Sequence, residues 1–337
     1  MLPILACLCF DGETVTAYDE ELALRIACPA PIKGAVRGST LLAFLTAATK
    51  EEAVVEQQKE ALSVSCGRSK LNVPTLPVSD FIHSLPADED FASSNARREL
   101  DKAESGKLVK GLRLSHFAMS DDINLPNILG ATLCISSKGS LLLFTCNNRV
   151  IARYRSKVSG GAKLTCVMAP RFASLLVGIH EADPVQRIEL SPDWTQATFE
   201  SGLVLWAKCV GEDSSDRYQQ LYQSVKDEET TELPEALLPA IKRALSVASD
   251  DTVTTFAVAS RKLRMITDTP LGKVVDVVKL PHADVVFNTV PRLVHEVVSR
   301  VEEGRIAFIS GRLLLVDTRY CRYLVSGIAV NEETGNG

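Results

Sequence analysis

"LSVSCGRSKLNVPTLPVSDF", Leu62–Phe81, is the stretch whose reading decides the fold. It sets a cysteine beside a glycine, adds two cations, and ends on a proline-flanked Thr-Leu pair. Cys66 could be a nucleophile, Arg68 a phosphate clamp, or the whole a turn between two strands. The pattern of "ALSVSCGRSKLNV" (Ala61–Val73) is that of strand with turn residues. Gly67 makes a turn or strand irregularity. Arg68 and Lys70 then alternate with their neighbours as strand residues, and Cys66 carries no reaction. On this reading the stretch is scaffold.

Working outward, strand signals dominate. Asp11-Gly12 is a hairpin signal, and Thr14–Cys28 reads as strands. "GSTLLAFLTAATK" reads as a short helix with Ser39 as N-cap. The same order of strand, helix and strands recurs from about Arg97 and again from about Glu232. In the second run "DKAESGKLVKGLRL" and "APRFASLLVGI" are helical. In the third, "LPEALLPAIKRALSVA" and "FNTVPRLVHEVVSRV" are helical, the last with Asn288 as N-cap. Acidic, loop-like joints fall at Pro86–Asn95 and Lys226–Glu232. The chain is thus three units of mixed antiparallel sheet and helix, 1–92, 93–230 and 231–330, with a disordered tail at 331–337.

Composition fits this. The 337 residues are 46% hydrophobic, enough for two or three cores, and 23% charged, an ordinary soluble fraction. The nine cysteines are irregularly spaced with no C-x-x-C, which predicts reduced thiols in a cytoplasmic protein. Apolar runs are too short for a membrane span, and the start lacks the basic region of a signal peptide.

An enzyme needs a constellation of groups, and none is legible. The five histidines show no metal-ligand spacing, and no nucleophile-elbow, zinc-helix or phosphate-loop motif occurs. The expectation is a non-enzyme with no catalytic residue, metal or cofactor. The helices say more. Their outer faces carry Lys107, Lys110, Arg171, Lys242, Arg243 and Arg292, while acidic residues gather in strands and loops. Each face alone is an ordinary solvated surface. The shared pattern in a chain of net charge −5 fits one positive surface for a polyanion.

The opening stretch resembles the end of the first domain of bacterial-type DNA sliding clamps, the beta subunit of DNA polymerase III. Those proteins carry a strand, S-G-R-S, then T-L-P-x-x-D-F. Here the matches are Ser65, Gly67, Arg68, Ser69, Thr75, Leu76, Pro77, Asp80 and Phe81. Further matches follow in order: "LPIL" at Leu2–Leu5, "TAYDEELAL" at Thr16–Leu24, "APRFASLL", and Phe287-Asn288. The resemblance spans the chain to Val330.

It implies an α+β fold of three repeated clamp domains, sheets outside and helices lining a central channel, closed into a ring by a homodimer. It also implies that Lys102, Lys107, Lys110, Arg113, Arg171, Lys242, Arg243 and Arg292 attract duplex DNA without reading sequence. A partner-peptide pocket would take polymerase and clamp loader. By resemblance it comprises Ile128, Thr145, Asn147, Asn148, Arg149, Val150, Leu221, Leu324, Val325 and Ser326. Its loop departs from the clamp pattern, with Cys146-Asn147-Asn148 for Asp-Gly-His and Ser326-Gly327 for Met-Pro. The chain also starts where clamps already have a strand and a helix. The first domain should therefore lack its first helix, either through a misplaced start or as a reduced, phage-like clamp. The alternative is a clamp-like transcription accessory or decoy.

Overall fold

The structure is a computed structural model and describes residues 6–48, 52–80 and 96–328. The "LPIL" match, the joint at Pro86–Asn95 and the tail at 331–337 lie outside the described residues. Two compact units are present, residues 1–109 with 171–209, and residues 110–170 with 210–337.

The first run of elements is β1 (Cys7–Asp11), β2 (Thr14–Tyr18), β3 (Leu22–Ala27), β4 (Lys33–Arg37), α1 (Gly38–Thr46), β5 (Val54–Gln57), β6 (Ala61–Cys66) and β7 (Ser69–Pro74). The second is β8 (Arg98–Leu100), α2 (Lys102–Ser115), β9 (Ala131–Ile135), β10 (Ser140–Cys146), β11 (Val150–Lys157), β12 (Leu164–Met168), α3 (Pro170–Ala182), β13 (Val185–Leu190), β14 (Trp194–Phe199) and β15 (Val204–Lys208). Helix α4 (Ser215–Ser224) follows. The third run is β16 (Thr231–Glu232), α5 (Leu237–Leu245), β17 (Thr254–Ala259), β18 (Lys262–Thr269), β19 (Gly272–Lys279), β20 (Val285–Thr289), α6 (Pro291–Val298), β21 (Arg305–Ile309), β22 (Leu313–Asp317) and β23 (Cys321–Ser326). Second and third runs share one order: strand, helix, four strands, helix, three strands. Among the described residues the first run enters at the four strands and carries one α-helix.

The strands pair accordingly. One unit holds an eight-stranded sheet in the order β4-β1-β2-β3-β15-β14-β13-β8 and a three-stranded sheet, β5-β6-β7. The other repeats the eight-stranded order as β12-β9-β10-β11-β23-β22-β21-β16 and adds β19-β18-β17-β20. Every strand pairing is antiparallel, as short turns between consecutive strands allow. The fold is α+β. Among the described residues no helix is long and apolar enough to cross a membrane.

Local chemistry explains the turns. Asp11 accepts from the backbone N–H of Glu13 and Thr14 and from the Thr14 hydroxyl, closing the first hairpin. The bond from Thr14 leads in holding the Asp11 carboxyl below its ordinary pKa. In the opening stretch Cys66 pairs with Ser69, so Gly67 and Arg68 form a two-residue turn. Gly67 has φ +60°, which tight hairpins require of such a position. Arg68 is therefore a turn residue, a correction to its reading as strand. The Cys66 thiol is buried and donates to the Glu52 carbonyl at 3.4 Å. Among the described residues no cysteine is disulfide-bonded.

Two helix starts also differ from the sequence reading. Helix α1 begins at Gly38 with Arg37 in the cap position, not at Ser39. Helix α6 begins at Pro291 after Val290. A proline at the first helical position is the stronger start signal. Asn288 instead lies within β20 and accepts from the Thr255 hydroxyl at 2.8 Å.

Candidate functional site

Helix α2 starts with Asp101 accepting from the Glu104 N–H at 2.9 Å, one half of a capping box. Leu108 and Leu112 are fully buried, and a Cβ at Gly111 would stand 2.5 Å from the Tyr154 ring. The helix thus lies close on the sheet. The opposite stripe, Lys107, Lys110 and Arg113, falls at i, i+3 and i+6 and is exposed. Lys110 Nζ sits 4.3 Å over the Tyr320 ring.

In α5 the buried residues are Leu237, Ala240, Ile241 and Ala244, leaving Lys242 and Arg243 exposed in the last turn. There their charge suits the helix dipole. In α6, Val294, Val297 and Val298 are buried and Arg292 is exposed.

Arg243, Arg171, Arg292 and Lys102 meet carboxylates. Arg243 grips Asp276 of β19 through Nε and a terminal nitrogen at 2.7–3.1 Å. This hydrogen bonding raises the Arg243 pKa. Arg171 pairs with Asp19 at 2.6 Å, Arg292 with Asp250 at 2.6 Å, and Lys102 with Glu200 at 2.5 Å. Pairs this exposed are screened by water and salt and hold their partners weakly.

The residues expected to form a partner-peptide pocket divide between the two faces of β11 and β23. Helix α4 packs Tyr218, Tyr222 and Leu221 into a cluster with Ile128, Phe144, Ile151 and Leu324. The Phe144 ring stacks on Tyr218 at 5.5 Å. The Tyr222 hydroxyl lies 3.0 Å from the Ile151 carbonyl and 2.9 Å from that of Arg322, spanning both strands. Burial raises the pKa of both phenols, which remain neutral donors. Val150 pairs with Val325, next to Ile151 with Leu324. By strand alternation these two pairs face opposite sides. Val150, Val325 and Thr145 are fully buried, and Thr145 donates to the Ser115 carbonyl at the end of α2.

Asn147 shapes the intervening turn by accepting from the N–H of Arg149 and Val150. Asn148 takes φ +68°, which asparagine tolerates better than most residues. Asn148 and Arg149 are exposed, while Asn147, Leu221 and Ser326 are half-buried. Helix α4 itself was missed as a helix. Its signal was Tyr218, Tyr222 and Val225 at i, i+4 and i+7.

No protein-family profile matches the sequence, and no curated protein matches it. Solved structures do. The DNA polymerase III beta subunit of Thermotoga maritima superposes with a TM-score of 0.81 at 18% identity, covering 98% of this chain and 93% of that one. The chain has the sliding-clamp fold. A sliding clamp from Bartonella birtlesii matches over the same shares with a TM-score of 0.83 at 16% identity. The Bacillus subtilis clamp gives 0.80 at 14%. The whole described length, and not one module of it, follows the sliding-clamp path.

Proposed function

We propose that this chain is a DNA sliding clamp: a non-enzymatic ring that encircles duplex DNA and tethers a polymerase. The observation that carries this reading is the clamp fold over 98% of the chain, joined to exposed cations on α2, α3, α5 and α6. Its three domains are 1–92, 93–230 and 231–330. Copies close head to tail through open sheet edges. Among the described residues β19, with Val275 and Val277 exposed, and β7 are the open edges that match the β3–β15 and β11–β23 joints of the repeat. The basic helix faces neutralise phosphates without touching base edges, which leaves the ring free to slide. Tethering raises the local concentration of polymerase at the primer end, so no bond chemistry is required of the clamp. A clamp loader opens the ring, and partner peptides dock beside Leu221 and the rim of Ile128 and Leu324, reached by Arg149 and Ser326.

The test is primer extension on a circular template with the cognate polymerase and loader. Wild-type chain lengthens the products, whereas Lys107→Glu with Lys110→Glu weakens retention on the circle, most clearly at low salt. Unchanged product length with wild-type chain would refute the tethering role.

A further inference from the structure

On the α4 side of the β11–β23 pair the character of the surface changes within two residues. Ile151 and Leu324, opposite each other, lie in the apolar cluster under α4. The next pair on that face is Arg153 opposite Arg322. Like charges directly opposite across a ladder repel. Arg322 is neutralised by Asp317 at 2.7 Å. Arg153 has no carboxylate in ion-pair range among the described residues. Its guanidinium lies 4.5 Å over the Tyr222 ring instead. Burial lowers the Arg153 pKa; Tyr222 and Asp317 oppose that shift, and repulsion from Arg322 and Arg155 adds to it.

Arg155, the next residue on that face, likewise has no carboxylate partner among the described residues. Lys226 of the segment after α4 and Arg319 of the β22–β23 turn complete a groove of about 420 Å³. Of the five cations that line it, Arg322 is held by Asp317 and Lys226 lies 4.0 Å from Asp227, while Arg153, Arg155 and Arg319 meet no carboxylate in ion-pair range among the described residues. Such an arrangement persists at a cost in stability that an anionic ligand offsets.

We propose that this groove holds the carboxylates of an extended acidic segment on a partner protein. Three features favour carboxylates on a peptide. Arg153 and Arg155 project from one face about 7 Å apart, the spacing of alternate side chains on an extended peptide. Guanidinium forks match carboxylates two bonds at a time. Tyr222 is buried, and the exposed Tyr320 ring already carries Lys110 and Arg319, so a stacking base would have to displace cations that an acidic peptide can keep. Single-stranded nucleic acid relies on such faces. The groove begins one side-chain repeat from Leu324, so a peptide seated at Leu221 and Leu324 would lay its acidic flank here. That placement rests on the clamp reading; the charge recognition does not.

The test uses the full chain, low salt and fluorescence anisotropy. A labelled peptide of alternating Glu and Ser should bind at least about tenfold more tightly than its Gln-Ser counterpart, as charge-assisted bonds require. Arg153→Gln with Arg155→Gln should erase that difference, while Lys138→Gln, an exposed cation outside the groove, should leave it intact. Arg153→Glu with Arg155→Glu should instead gain binding to a Lys-Ser peptide, a gain that misfolding cannot produce. An undiminished Glu-Ser affinity in the Gln variant overturns the proposal, as does equal or tighter binding of oligothymidylate of matched charge. Because no step involves loading on DNA, a failure here leaves the clamp reading standing, and failed primer extension leaves this result standing.

Discussion

Each eight-stranded sheet is two four-stranded halves joined at one antiparallel seam, β3 against β15 in one unit and β11 against β23 in the other. The two seams share topology and differ in charge. Arg25, fourth residue of β3, lies opposite Val204 and Thr16. Its Nε donates to the Thr16 hydroxyl at 3.3 Å, and its guanidinium lies 5.2 Å from the Trp206 ring centre. Arg153, fourth residue of β11, lies opposite Arg322 and Phe144. Both arginines cover an aromatic ring, yet only one confronts a second arginine. The repeated backbone sets where the side chain points, and the neighbour across the seam decides whether its charge is spent or available.

The largest expected effect removes the aromatic under the charged seam. Tyr222→Ala empties a fully buried site and should cost about 3–5 kcal/mol. The chain's two tryptophans, Trp194 and Trp206, lie on β14 and β15 of the other sheet. Urea unfolding followed by far-ultraviolet circular dichroism should therefore shift while tryptophan fluorescence holds. A parallel shift of both signals would mean that the seams unfold as one cooperative unit.

A smaller effect comes from pH. Burial pushes the Cys321 thiol up to about 11. The unfolded thiol gives up its proton first, so this contribution is complete below pH 9 and is lost as pH rises towards 11. The loss should reach about 1–2 kcal/mol, and Cys321→Ala should flatten that slope in pH-dependent urea unfolding.

The smallest pair of effects differs in size. Arg25→Met removes a cation from an aromatic face and should destabilise by ~0.5–1 kcal/mol. Arg153→Met also uncovers a ring but relieves repulsion from Arg322, so it should change stability by less than ~0.5 kcal/mol. Equal losses in thermal unfolding would erase the distinction between the seams.

Much of this was legible in the sequence, and the rest was hidden for physical reasons. Apolar periodicity located α2, α3 and α5 because leucines and alanines mark their buried faces. Helix α4 escaped because tyrosines do that work there. Asn288 was misplaced because an asparagine ahead of an apolar run imitates a cap, although Pro291 was the better marker. The pairing of Arg243 with Asp276 and of Lys102 with Glu200 joins residues far apart in the chain, which no local pattern reveals. One feature of the partner surface could have been read from parity alone. Leu324 and Val325 are consecutive strand residues, so they cannot both face α4.

The seams also bear on the birth of the protein. Strand β3 waits for β15, and β11 waits for β23, across about 170–180 residues of intervening chain. At synthesis rates of about 5–20 residues per second, each half-sheet stands with an unpaired edge for roughly 10–30 s. An apolar edge left open that long invites pairing with neighbouring chains. Arg25 and Arg153 stand on those waiting edges, where a charge discourages the wrong partner until the right strand leaves the ribosome.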